Sequence, residues 1–250
     1  MTRKQRQKQN DQKPQRIEPP VTLKPRKPRL KQVKFEPMNI RQGDYADDIM
    51  DFNVVFGTGP AGTGKTYVAL SCAADMLSRK EIDQIIITRP NISTAEKSLG
   101  FFKGTKQDKI AEWMRPALSI LKKHFGGEAV NAMLELEMIR LEPLETMRGE
   151  TFDNAFVLLD EAQNVTFEDM EMFLTRIGEG STVVVDGDVE QTDLKGKSGL
   201  ARVLAMVANR NHVKTSANSF PIHNFTVEDI VRSGITKEFV LMFRKEKGLL

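Results

Sequence analysis

With a single cysteine, Cys72, the chain can form no internal disulfide, and His124, His212 and His223 are too scattered to gather with it around zinc. No run of about eighteen apolar residues occurs, so no segment is expected to span a membrane. The amino-terminal stretch is basic and polar and lacks the apolar centre of a secretory signal. A reducing, cytoplasmic setting is the expectation. Cys72 falls among Ala69, Leu70 and Ala73 and reads as a buried structural thiol. Aromatic residues make up only 7% of the chain, and Phe35 alone accompanies the basic residues near the start. Interleaved stacking platforms for single strands are therefore not expected there.

What is present suits one substantial domain: 250 residues, 40% hydrophobic and 28% charged. The net charge of +3 conceals a polarised chain. Residues 1–36 carry twelve Lys/Arg against Asp11, Glu18 and Glu36, a balance of +9, which leaves −6 for the remainder. That opening stretch has too few large apolar residues to offset its ordering entropy and reads as a disordered basic tail, with one domain over 37–250. Its composition suits either a grip on phosphate backbones through counterion release or a solvated extension without a partner.

From about Gln42 short apolar runs alternate with helical periodicity. Residues 53–56, 84–88, 155–160 and 182–186 read as buried strands, and 138–141 as a weaker one. Helices are expected over 65–79, 106–124, 167–177, 200–208 and 235–245. Apolar strands separated by helices imply a parallel sheet covered on both faces, an α/β fold.

The strongest chemical signal is Gly59-Pro60-Ala61-Gly62-Thr63-Gly64-Lys65-Thr66, which matches G-x-x-x-x-G-K-[ST] between an apolar strand and a helix. Its glycines let backbone N–H groups face phosphates at a helix N-terminus. Lys65 suits β/γ-phosphate charge and the Thr66 hydroxyl suits Mg²⁺. A second strand ends in Asp160-Glu161, which suggests a metal-holding acid followed by a general base for water. A third runs into Gly187-Asp188-Val189-Glu190-Gln191, where Gln191 is placed to sense the γ-phosphate or the lytic water. The paired acids favour hydrolysis, and the absence of N-K-x-D favours ATP over GTP.

These three motifs together resemble the PhoH family, relatives of superfamily-1 helicase motor domains. Thr88-Arg89-Pro90, Glu96-Lys97-x-Leu99-Gly100-Phe101, Met147-Arg148-Gly149, residues 173–178 and residues 225–232 agree, so the resemblance covers roughly 38–245. It implies a RecA-like parallel sheet and an ATPase acting on RNA or single-stranded nucleic acid. It further implies a homo-oligomeric ring, usually a hexamer. It gives Gln42 the adenine edge and Tyr45 the stacked base, and it sets Arg89 against a nucleic-acid backbone. Because one motor lobe cannot close on its own nucleotide, a neighbour is expected to supply an arginine in trans, Arg232 or Arg176. Phe102-Lys103-Gly104-Thr105 and Glu150 depart from the family pattern, and no nuclease domain is expected ahead of the ATPase. A nucleotide-switched scaffold fits the same motifs, whereas a small-molecule kinase fits the Asp160-Glu161 pair less well.

Overall fold

In the computed structural model the described residues are 27–31, 34–90, 110, 114–191, 198–209 and 220–248. Six strands form one sheet: β1 (Val54–Thr58), β2 (Gln84–Arg89), β3 (Ile139–Pro143), β4 (Ala155–Leu159), β5 (Thr182–Gly187) and β6 (Ile222–Asn224). Their order is β3-β2-β4-β5-β1-β6 and every pairing is parallel. The expected parallel sheet flanked by helices is thus the fold. β5 lies between β1, which leads into the glycine-rich loop, and β4, which leads into the paired acids.

Both faces are covered, and the strand residues alternate between two apolar layers as the two-residue period requires. Val55, Ile85, Ile87, Phe156, Leu158 and Val184 join one layer, while Phe56, Ile86, Val157, Leu159, Val183 and Val185 join the other. The first layer holds helices α1 (Ile40–Asp51), α2 (Lys65–Arg79), α3 (Arg115–Phe125) and α4 (Gly127–Glu135). The second holds α5 (Phe167–Leu174) and α6 (Gly199–Ala208). A last helix, α7 (Gly234–Glu246), buries none of its residues. No described helix is long and apolar enough to cross a membrane.

Expectation and fold part company in a few places. Gln42 and Tyr45 lie on α1, which starts where the Asn39 side chain accepts the Gln42 N–H at 2.9 Å. α4 and the three-residue edge strand β6 were not anticipated. The expected helix over 106–124 is described as Arg115–Phe125, with 106–109 and 111–113 outside the described residues. The same holds for residues 91–109, which include Phe102–Thr105, and for most of the basic tail. Leu30 and Phe35 pack against the first layer.

Candidate active site

The loop between β1 and α2 is shaped by its glycines. Gly64, the N-cap of α2, takes φ +88°, and a Cβ there would lie 2.6 Å from Gln42 Nε2. Val68 N–H returns to Gly64 O at 2.9 Å, so the amides of Lys65, Thr66 and Tyr67 precede the first intrahelical bond and point out of the helix end. This is an anion cradle with a favourable dipole behind it. Lys65 Nζ donates to Gly59 O at 2.6 Å and Pro60 O at 3.1 Å, which holds the ammonium over the loop.

The paired acids stand across this cradle. Asp160 is buried at the end of β4, with Oδ1 3.3 Å from Thr66 Oγ1 and accepting the Glu161 N–H at 3.1 Å. Its other oxygen, Oδ2, accepts Arg89 Nε at 3.0 Å and Nη2 at 2.5 Å. A hydroxyl and one carboxylate facing a triphosphate cradle are the donors magnesium takes when phosphates and water complete its shell. Among the described residues no three His, Cys, Asp or Glu side chains form a protein-only metal cage.

Glu161 adopts φ 58°, ψ 36°, left-handed backbone uncommon for a residue other than glycine. Its carboxylate is gripped by Gln163, whose Nε2 donates to Glu161 Oε2 at 2.6 Å. Gln163 Oε1 in turn accepts the Asp188 N–H at 3.0 Å, so one buried amide links the proposed base to the tip of β5. Gln191, whose N–H donates to Asp188 O at 2.9 Å, is exposed at the rim of the same cleft. Nothing in the sequence assigned Gln163 a role; its position two residues after Glu161 was the available signal.

The cleft encloses about 680 Å³, and Gly59, Ala61, Gly62, Gly64, Lys65, Thr66, Asp160, Glu161 and Gln191 all line it. Pro60 and Thr63 are buried behind that lining and brace the loop through a Thr63 Oγ1–Pro60 O bond of 3.1 Å.

Five residues singled out from the sequence take the following places. Tyr45 is fully buried, and its hydroxyl donates to Asp186 Oδ1 at 2.5 Å; the ring packs on His223 and Phe225, so no face is open to a base. Gly57 makes that bond possible, since a Cβ there would lie 2.6 Å from the tyrosine oxygen. Gln42 is 1% exposed and spends both ends of its amide on protein, donating to Thr63 O and accepting from Met38 N–H at 2.9 Å each. It braces the loop and presents no edge to adenine. Arg89 lines the cleft and pairs with Asp160 there. Arg232 lines its own chain's cleft, its stem lying across the loop so that a Cβ on Gly62 would sit 3.1 Å from Arg232 Cδ. Arg176 stands where the chain approaches β5, its carbonyl accepting Phe152 N–H at 2.9 Å ahead of β4, at the far end of the sheet from the cradle.

One group beneath the cleft has a displaced titration. Asp186 is completely buried, and burial pushes its carboxyl up to about 7 while the Lys65 ammonium pulls it back. The same burial, reinforced by Asp186, raises the Tyr45 phenol well above its usual value.

Comparison with known proteins adds the lineage. The family model described as PhoH-like protein matches residues 34–244, which takes in every element from α1 to most of α7. The chain belongs to the PhoH-like family. Its members are P-loop NTPases, in keeping with the cradle between β1 and α2. A PhoH-like protein of Mycobacterium tuberculosis is 41% identical over 208 residues, covering 82% of this chain and 57% of that protein. Protein PhoH of Escherichia coli is 40% identical over 201 residues, covering 79% and 54%. The PhoH-like protein of Bacillus subtilis is 46% identical over 162 residues, covering 64% and 50%. The chain thus spans about half the length of the curated PhoH-like relatives it matches. Among solved structures, a Pif1 helicase from Candida albicans aligns at a TM-score of 0.37 and 15% identity, over 77% of this chain and 40% of that one, a likeness too slight to bear on function.

Proposed function

We propose that the chain binds ATP with magnesium at the C-terminal ends of β1, β4 and β5 and hydrolyses it to ADP and phosphate. The observation that carries this reading is the convergence of Lys65, Thr66, Asp160, Glu161 and Gln191 on one cleft from three strands that are far apart in sequence. The cradle amides and Lys65 hold the phosphates and stabilise charge that shifts toward the β–γ bridging oxygen as its bond breaks. Glu161 takes a proton from the attacking water while the water oxygen bonds to the γ-phosphorus. A magnesium ion held by Thr66 and, through water, by Asp160 would neutralise β- and γ-oxygens. Gln191 at the rim orients the water or registers the loss of the γ-phosphate.

The wider reading is a homo-oligomeric ring, a hexamer by family likeness, that acts on RNA or single-stranded nucleic acid. The +9 tail supports a phosphate-rich partner. The nucleotide-switched assembly reading has its own support in α7, which exposes Ile235, Phe239, Met242 and Phe243. Arg244 of that helix pairs with Glu190, next to Gln191, so nucleotide state and an apolar face are mechanically adjacent.

Phosphate release from ATP, with and without added RNA, tests both readings. K65A should abolish release; turnover equal to that of the native chain would defeat the assignment. Stimulation by RNA favours the motor, whereas an ATP-dependent change in mass without stimulation favours the switch.

A further inference from the structure

We infer that the base of the bound nucleotide stacks on Tyr67, in a subsite walled by Pro116 and Ile120 of α3. The inference rests on the nucleotide reading above and names the part of the cleft that reading leaves open.

The polarity of the cleft comes first. Thr66 Oγ1, Asp160 Oδ1, Glu161 and Gln191 mark the end where the γ-phosphate must lie, because metal, base and sensor meet there. The cradle amides run from the loop into the first turn of α2, and Tyr67 carries the last of the three that no helical carbonyl accepts. A phosphate chain laid along them with its γ end at the acids places its α end beside Tyr67. The nucleoside attached at that end leaves the cradle next to the Tyr67 side chain.

The composition of the lining agrees. Tyr67 is the one aromatic among the described residues lining the cleft, and it keeps 36% of its surface exposed. Pro116 and Ile120, four residues apart on α3, line the same cleft and offer apolar edges, with Lys123 beside them. The ring is also held: Phe35 packs on it with centroids 6.2 Å apart, and His124 with centroids 6.0 Å apart. His124 is itself anchored to Ser71 at 2.9 Å. A ring fixed by two neighbours has little rotamer freedom left to lose when a flat ligand settles on its open surface. Gln42 and Tyr45 are both buried and bonded within the protein, so the base has no competing seat there.

The test compares two ligands that share the phosphates and differ in the base: ATP and inorganic tripolyphosphate, each titrated with magnesium into the full chain. Y67A should weaken ATP binding roughly five- to a hundredfold, the loss expected for one base–aromatic stack, and leave tripolyphosphate within about twofold. Y67F, which keeps the ring, should bind both like the native chain. Undiminished ATP affinity in Y67A overturns the inference. Should Y67A weaken both ligands, Y67W decides. After subtraction of the signal of the single native tryptophan, its emission should change on saturation with ATP and not with tripolyphosphate; identical emission with the two ligands overturns the stack. If the native chain binds neither ligand, the cradle reading itself falls and takes this inference with it.

Discussion

Replacing Arg89 by alanine separates a role inside the cleft from a role on nucleic acid. Arg89 and Asp160 are 13% and 7% exposed, and two guanidinium donors converge on Asp160 Oδ2. Removing the cation leaves a buried carboxylate short of its partner, a change that costs about 3–5 kcal/mol when nothing replaces it. For a domain of this size each kcal/mol corresponds to about 2–4 °C, so R89A should melt about 6–20 °C below the native chain in EDTA. A ligand that binds only the folded state, as magnesium with ADP would on the proposed reading, stabilises it by about 2.7 kcal/mol at a hundred times its Kd. In R89A the metal meets a carboxylate that no guanidinium opposes, so the deficit should narrow by about 3 °C or more when magnesium and ADP are added. R89K, which keeps a charge and loses the fork, should fall between. Thermal melts followed by circular dichroism measure all three. A melting point within about 2 °C of native in EDTA, or a deficit indifferent to metal and nucleotide, refutes the ion-pair reasoning.

Two further outcomes follow from the same geometry. Q163L keeps the volume but breaks the bonds to Glu161 and to the Asp188 N–H, so kcat for ATP should drop about tenfold or more with KM little changed, and an unaltered kcat would show that Glu161 needs no such hold. Asp186 titrates near 7 when folded and, like any exposed aspartate, near 4 when unfolded. The unfolded chain therefore releases this proton first, and the stability this group contributes is complete below about pH 4 and lost as pH rises through about 7. D186N should melt progressively higher than the native chain over that window and hold its advantage above it; parallel melting curves from pH 4 to 8 would contradict this.

The loop from Gly59 to Thr66, the Asp160-Glu161 pair and Gln191 were legible as one candidate site because each is local: a few residues at the tip of an apolar strand declare where they will stand. The sheet was legible for the same reason, since runs such as Ile85-Ile86-Ile87 and Val183-Val184-Val185 state their own burial. What the sequence left hidden is long-range. Tyr45 is hidden by a bond to Asp186, 141 residues away, and Arg89 is claimed by Asp160, 71 residues on. Arg232 reaches its own loop because Val231 N–H donates to Gly62 O at 3.1 Å, a return of the chain that no periodicity announces. β6 is three residues long and α4 opens on a glycine, so neither carries enough pattern to register.

The interposition of β5 between β1 and β4 acts as a ruler. Two strand spacings put the backbones of β1 and β4 about 9.5 Å apart, a width fixed by backbone pairing rather than by any side chain. Drift in individual cleft residues leaves that gauge untouched. A one-residue slip of β5 would not: it would turn Asp186 and Val185 to opposite faces at once, dislodging the Tyr45 anchor and the second apolar layer in a single error.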